Sequence, residues 1–220
     1  MKNGLQFLAL LFACLTLCQC KTLESRRMEK FEAEAALKKL QRDQIRAEEE
    51  RKMREQGYIF VPNHEPARVH KEVFAEVTPA NARVRIDLSE QRVYLMKGDK
   101  VAIETPCSTG TSSHPTPTGS FTITEKDPDH RSNLYGDYVD SDGDIIRSGV
   151  AVRKHKKPRG ARFLGAPMQN FMRLTSYGVG MHIGHLPGYP ASHGCIRLPE
   201  EIGPMIYEKT RLGTPVRIVP

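Results

Sequence analysis

From Tyr58 onward the chain is punctuated by proline in a way that excludes long helices and leaves short extended segments. Pro62, Pro66 and Pro79 each lack a backbone donor and clash with a preceding helical turn. Around them apolar and polar residues alternate. Val84, Ile86 and Leu88 do so, then Val93 and Leu95, then Val101 and Ile103 beyond a Lys97-Gly98-Asp99-Lys100 turn. A period of two marks strands with one buried face, and tight turns between them make a meander. Further strands are expected at Phe121/Ile123, Val150/Val152, Met172/Leu174, Val179/Met181 and Val216/Ile218. One clear helix is expected, from Pro199 to about Lys209, with proline at its first position and Ile202, Met205 and Ile206 on one face. A mainly β region of ~160 residues can bury about 70% of its unfolded surface.

The segment before Tyr58 is of the opposite kind. Residues 21–57 hold eleven Lys/Arg and nine Asp/Glu, no proline and one glycine at the end. Strong helix formers dominate, and Glu34/Lys38, Glu48/Lys52 and Glu50/Arg54 are spaced for i,i+4 pairing. Met28, Phe31, Ala35, Leu37, Leu40 and Ile45 give only a ragged stripe, so the segment reads as a charged helical spacer, a solvated helix or a weak coiled coil, with a partner-binding helix as the alternative. Before it, Lys2 and the apolar run Leu5–Leu17 have the proportions of an export signal and are short for a membrane span. Residues 1–20 are therefore expected to direct the protein out of the cytoplasm, to the periplasm or cell envelope. Cys14, Cys18 and Cys20 open the alternative of a lipoprotein signal and a lipid anchor in the membrane, although the residues before them fit that pattern only in part. Residues 58–80 read as a linker.

Hydrophobic residues make up 39% and charged residues 27%, which excludes a collagenous or wholly disordered chain. The formal charge of +7 favours an anionic partner such as a wall polymer, acidic lipid or nucleic acid. Arg153, Lys154, Lys156, Lys157, Arg159 and Arg162 concentrate six cations in ten residues. No nucleic-acid-binding motif accompanies them, so nucleic acid is not an expected partner. The cluster is either a contact for anionic wall material or a solvated loop. Asp140-Ser141-Asp142-Gly143-Asp144 has its glycine two positions early for a calcium loop and reads as a polar turn.

The segment richest in chemistry runs from His182 to Cys195, with His185 and His193 between them. Three histidines and a cysteine within fourteen residues admit three readings. A zinc site is one, though the H-x2-H-x7-H-x-C spacing matches none of the usual closed sites. A Cys–His nucleophile site is another. A free thiol is only a few per cent thiolate at neutral pH, and a nearby imidazole with the N-terminus of the following helix would raise that fraction. Gly194 would let the chain turn sharply and present backbone N–H groups to an oxyanion. The third is a glycine-rich loop whose polar residues are incidental.

Ser192-His193-Gly194-Cys195-Ile196-Arg197 resembles the signature of the L,D-transpeptidase catalytic domain family, the YkuD type. Ser108-Thr109-Gly110 followed by Pro115-Thr116-Pro117-Thr118-Gly119-Ser120-Phe121 is similar to the family's earlier block. Met181-His182 with Leu186-Pro187-Gly188-Tyr189-Pro190 resembles its upstream-histidine segment, and Gly213-Thr214-Pro215-Val216 its closing strand. These four blocks cover about Asn81–Pro220, taken as the catalytic domain. The resemblance implies a mixed β-sandwich with one or two short helices. It implies a cysteine acyltransferase acting on peptidoglycan tetrapeptide stems, as donor and acceptor, through a thioester, with no cofactor and no metal. Cross-links between third residues, or attachment of a protein to the wall, are the implied products. A carboxypeptidase or endopeptidase using the same acyl-enzyme, and a non-catalytic wall-binding lipoprotein, are the alternatives. By the same resemblance Cys195 is the nucleophile and His182 the base, with His185 its rival because the spacer is short. His193, Gly194 and Ser192 line the site, with the N–H groups of Gly194 and Cys195 as oxyanion donors. Arg197 and Tyr177 bind substrate. Ile183 after the base offers no hydroxyl, so a backbone carbonyl is expected to orient the imidazole.

Overall fold

A computed structural model describes residues 3–220, with side chains for residue 23 and residues 25–220. The side chains of Cys14, Cys18 and Cys20, and so the expected lipidation sites, lie outside the described residues. The chain divides into two compact units, Met1–Met53 and Arg54–Pro220.

Helix α1 (Asn3–Glu55) runs through the first unit. Its described apolar side chains, among them Met28, Phe31, Leu40 and Ile45, are exposed, as the absence of a regular stripe requires. Ion pairs along it join Asp43 to Arg46 and Glu48 to both Arg51 and Lys52. They are i,i+3 and i,i+4 neighbours on one helical face.

The second unit is mainly β with mixed sheets. Its elements are β1 (Tyr58–Ile59), β2 (Ala67–Val69), α2 (Lys71–Glu76), β3 (Ala82–Asp87), β4 (Arg92–Lys97), β5 (Lys100–Pro106), β6 (Gly119–Thr122), β7 (Glu125–Asp127), β8 (Arg131–Val139), β9 (Ile145–Ala151), β10 (Arg162–Pro167), β11 (Phe171–Arg173), β12 (Gly180–Ile183), β13 (Ile196–Leu198), α3 (Gly203–Lys209) and β14 (Pro215–Val219). A seven-stranded sheet has the order β1-β2-β5-β4-β3-β14-β6, a four-stranded sheet β13-β12-β11-β7, and a three-stranded sheet β10-β8-β9. β14 pairs with β3 in parallel, as β12 does with β13, and the remaining ladders are antiparallel. The main core lies between the two larger sheets. Val84, Ile86, Leu95, Ile103, Val216 and Ile218 come from one, Met172, Met181, Ile196 and Leu198 from the other, with Ile202 and Ile206 at α3. The alternation read from the sequence is the alternation of these buried positions.

Two expectations are corrected. Residues 58–80 are not a linker: they supply β1, β2 and α2, and bury Val61, Ala67, Val69 and Val77 in the core. Their short strands lie between prolines and show too few alternations to register as a pattern. The last helix begins at Gly203, not Pro199. The Pro199 carbonyl accepts the N–H groups of Ile202 and Gly203 in a tight turn, and Pro204 takes the first-turn position. α2, six residues long, was also not foreseen. The Asp140–Asp144 segment is a polar turn at the β8–β9 tip, where the Asp140 carboxylate accepts the N–H groups of Asp142 and Asp144.

Candidate active site

The four-stranded sheet sorts its residues by parity. Met181 is paired with Ile196 and with Met172, and all three point into the core. The intervening positions therefore share the opposite face. On β12 these are Gly180 and His182, and on β13 Arg197, the register partner of His182. One step back along the parallel register, Cys195 stands opposite Gly180. On β11 the same face carries Phe171 and Arg173, and on β7 Asp127 and Glu125. The sheet thus gathers Cys195, His182 and Arg197 on one face. It does not gather His185 and His193 with them as ligands: His182, His185, His193 and Cys195 do not converge as a metal-type grouping among the described residues. One such grouping is present, Glu125, Asp127 and His130, with ligand atoms within 4.8 Å of one another. Its carboxylates are already engaged, Glu125 with Arg173 and Asp127 with His130.

The Ser192–Cys195 loop is held by the earlier glycine-threonine block. Ser108 and Arg197 exchange backbone hydrogen bonds, the Thr109 carbonyl accepts the N–H groups of Ala191 and Ser192, and Thr111 N–H donates to the Ser192 carbonyl. The Gln91 amide brackets Thr109 from below, donating to its hydroxyl and accepting its N–H. Thr116 accepts the Gly110 N–H at 2.8 Å and donates to the Gly194 carbonyl at 2.9 Å. A Cβ on Gly110 would lie 2.9 Å from the Gly194 Cα and 2.1 Å from the His114 carbonyl oxygen, so only glycine allows the two blocks to touch. Gly194 itself has φ +110°, a conformation that L side chains rarely adopt. Ser192 closes the turn: its hydroxyl donates to the Cys195 carbonyl at 2.6 Å and accepts the Gly194 N–H at 3.0 Å. That second bond revises one expectation. The Gly194 N–H is committed to Ser192 and does not face an oxyanion.

His182 is buried, and its Nδ1 lies 2.8 Å from the carbonyl of Ile183. A carbonyl can only accept, so Nδ1 carries the proton and Nε2 is left unprotonated. The orienting group is the backbone carbonyl expected from Ile183. Burial, reinforced by the Arg197 and His130 charges and opposed by the Ile183 bond, pulls the imidazole down from the usual 6.5 to about 4. The Cys195 thiol donates to the Gly178 carbonyl at 3.6 Å. Burial raises its pKa, against the Gly180 N–H and the positive charges of Arg197 and Arg173, which lower it. The resting pair is therefore neutral thiol and neutral imidazole. The expected help from a helix N-terminus is absent: β13 intervenes between Cys195 and α3, and α3 is only seven residues long.

The other expected residues fall around this centre. Arg197 is half-buried and donates to the His185 carbonyl at 3.3 Å. Tyr177 is exposed, in the 175–179 turn beside Gly178. His185 is exposed and lines a separate hollow of about 390 Å³ with Pro167, Gln169, Ile183, Gly184 and Glu200, which Cys195 does not border. His193 stacks on Tyr135 of β8 at 4.1 Å and meets His114 edge-on at 4.7 Å. Tyr135, His114, Thr116, Gln91 and Arg173 were not foreseen as site residues. Only Thr116 carried a signal, its place inside the earlier block.

The family model described as the L,D-transpeptidase catalytic domain, YkuD, matches residues 81–218. Among solved structures the chain is similar to an L,D-transpeptidase from Mycobacterium smegmatis, at 22% identity over 64% of this chain and 59% of that one, with a TM-score of 0.47. It is also similar to an Enterococcus faecium L,D-transpeptidase, at 26% identity over 63% of this chain and 50% of that one, with a TM-score of 0.45. An L,D-transpeptidase from Stackebrandtia nassauensis is 18% identical over 68% of this chain and 62% of that one, with a TM-score of 0.46. The chain thus spans between half and two thirds of the length of these structures. No curated protein matches it.

Proposed function

The chain belongs to the L,D-transpeptidase catalytic domain family, and from that membership we propose that it is a cysteine L,D-transpeptidase of the cell wall. The donor is a peptidoglycan tetrapeptide stem and the acceptor a second stem. The observation that carries the reading is the shared face of Cys195 and His182, with the His182 tautomer set by the Ile183 carbonyl.

Acylation starts from the neutral pair. As the Cys195 sulfur bonds to the carbonyl carbon of the third stem residue, its proton passes to His182 Nε2. The Cys195 N–H stabilises the oxyanion in place of the pair first expected. Collapse breaks the C–N bond, and the imidazolium returns the proton to the leaving D-Ala amine. The acceptor amine then attacks the thioester, losing its proton to His182 as sulfur leaves. The product is a cross-link between third residues. Arg197, beside His182, is the residue carried from the sequence for a substrate carboxylate, and Tyr177 lies at the rim. The amino-terminal segment supports export to the cell envelope.

Mass analysis of a disaccharide-tetrapeptide incubated with the protein tests the reading. Cross-linked dimer with release of alanine is expected. Tripeptide without dimer would convert the assignment to a carboxypeptidase, and an unchanged substrate would overturn it.

A further inference from the structure

Arg173 stands on the nucleophile's face of the small sheet, in a row that runs Cys195, Gly180, Arg173, Glu125. Gly180 contributes no side chain to that row, and the Phe171 ring occupies the place a side chain there would take, within 2.5 Å of where a Cβ would stand. The Arg173 guanidinium is fixed from behind. Its Nε donates to the Glu125 carboxylate, and its Cζ sits 5.1 Å from the Phe171 ring centroid. Its Nη1 reaches towards the 175–179 turn, 3.8 Å from the Cβ position of Gly178, the residue whose carbonyl accepts the Cys195 thiol hydrogen bond. Neither Nη atom makes a hydrogen bond among the described residues. The arrangement is an oriented guanidinium with one edge held and the other open beside the nucleophile, a geometry suited to a carboxylate.

We propose that Arg173 binds the terminal carboxylate of the residue that leaves when Cys195 is acylated. The inference rests on the transpeptidase reading and adds to it the group that selects where the donor peptide ends. Two inter-strand spacings, across β12, separate Arg173 from Cys195, about 10 Å between backbones. The carboxylate carbon of a leaving amino acid lies only about 2.5 Å from the scissile nitrogen, so an arginine side chain spans what remains. A stem with one residue beyond the scissile bond puts its carboxylate on the open edge. A longer stem puts a neutral amide there and leaves the guanidinium unpaired. Glu125 acts as a positioning residue, holding the fork in plane.

The test compares a stem tetrapeptide with its C-terminal carboxamide, using the full-length protein and following release of alanine or alaninamide by mass spectrometry. For wild type, kcat/KM is expected to fall about 10–100-fold on the amide, mainly through KM, the range for a charged hydrogen bond. Arg173→Gln should lose the same factor on the acid and nothing further on the amide, with Arg173→Lys intermediate. Alkylation of Cys195 by uncharged iodoacetamide should keep its wild-type rate in Arg173→Lys, which retains the positive charge beside the thiol. Equal wild-type rates on the two peptides would overturn the proposal without any variant. Retained discrimination in Arg173→Gln would overturn it in favour of Arg197, and an equal loss on both peptides would make Arg173 structural. A wild type that releases alanine from neither peptide overturns the transpeptidase reading, and this subsite with it.

Discussion

Under the proposed mechanism, His182 on β12 of the four-stranded sheet decides how the Cys195 thiol is activated. His182 holds its proton on Nδ1 and has a pKa near 4, while Cys195 is pushed above the ordinary thiol range. Proton transfer then accompanies attack rather than preceding it, and the acid limb of activity should fall near pH 4 instead of 6.5. Single-turnover acylation by a chromogenic β-lactam across a pH series checks this. His182→Ala should lower the neutral-pH rate by about 10²–10⁴ and leave activity that rises only towards the raised thiol pKa. His185→Ala should retain most of the rate, because His185 is exposed and opens on a different hollow. The opposite pattern would exchange the two roles. Among the cysteines whose side chains are described, only Cys195 should form a carbapenem adduct by intact mass. Cys107 is buried in the core, and desolvation raises its thiol to about 12. An adduct that survives Cys195→Ser would refute that assignment.

At the scale of elements, the two motif blocks are legible in the sequence because they are in contact. Gly110 and Gly194 approach too closely for any other residue, and Thr116 bonds both. Gly110→Ala should therefore displace the nucleophile turn and lower kcat about 100-fold, the scale of an ångström's misplacement. Far-UV circular dichroism should remain native, since the substitution lies in a loop between strands. An unchanged kcat would show that the blocks can separate without cost. Strands with several alternations, such as β3, β4 and β14, were readable for a similar reason: one face is buried along their length. β1, β2 and β7 are two or three residues long and offer no period to detect, whereas the Met172/Leu174 alternation marked β11. Arg173 was missed for another reason. It is one cation in an apolar run, Phe171 to Leu174, and only the register of β11 with β12 and β7 brings it to the face of Cys195. The helix expected from Pro199 forms only from Gly203, because proline marks a turn there as readily as a helix start.

For the whole molecule, the buried imidazole couples folding to acidity. The folded pKa of His182, about 4, lies below the unfolded 6.5, so the folded state binds fewer protons between these values. Its contribution is complete above pH 6.5 and is lost as pH falls towards 4, by up to about 3 kcal/mol at 1.36 kcal/mol per unit. Urea midpoints measured at pH 7 and pH 4.5 should separate for wild type and converge for His182→Gln. Asp87, whose carboxyl is held low by the Ser89 hydroxyl, takes over the same dependence only at lower pH. The unit boundary yields a second global expectation. Every site residue lies in Arg54–Pro220, so a chain beginning at Arg54 should keep its in vitro turnover within about twofold, the residual scale of a surface change. A chain beginning at Tyr58, the start of β1, removes Gly57. Its carbonyl accepts the Val69 N–H at 2.7 Å, and Val69 is a buried core residue of β2. Losing one backbone bond of this kind costs about 1 kcal/mol, a fall of about 2–4 °C in Tm for a unit of this size. Calorimetry of the two truncations checks the difference. Equal Tm values would put the true boundary at Tyr58, and a tenfold loss of turnover in a folded Arg54 chain would make the charged helix part of the active unit.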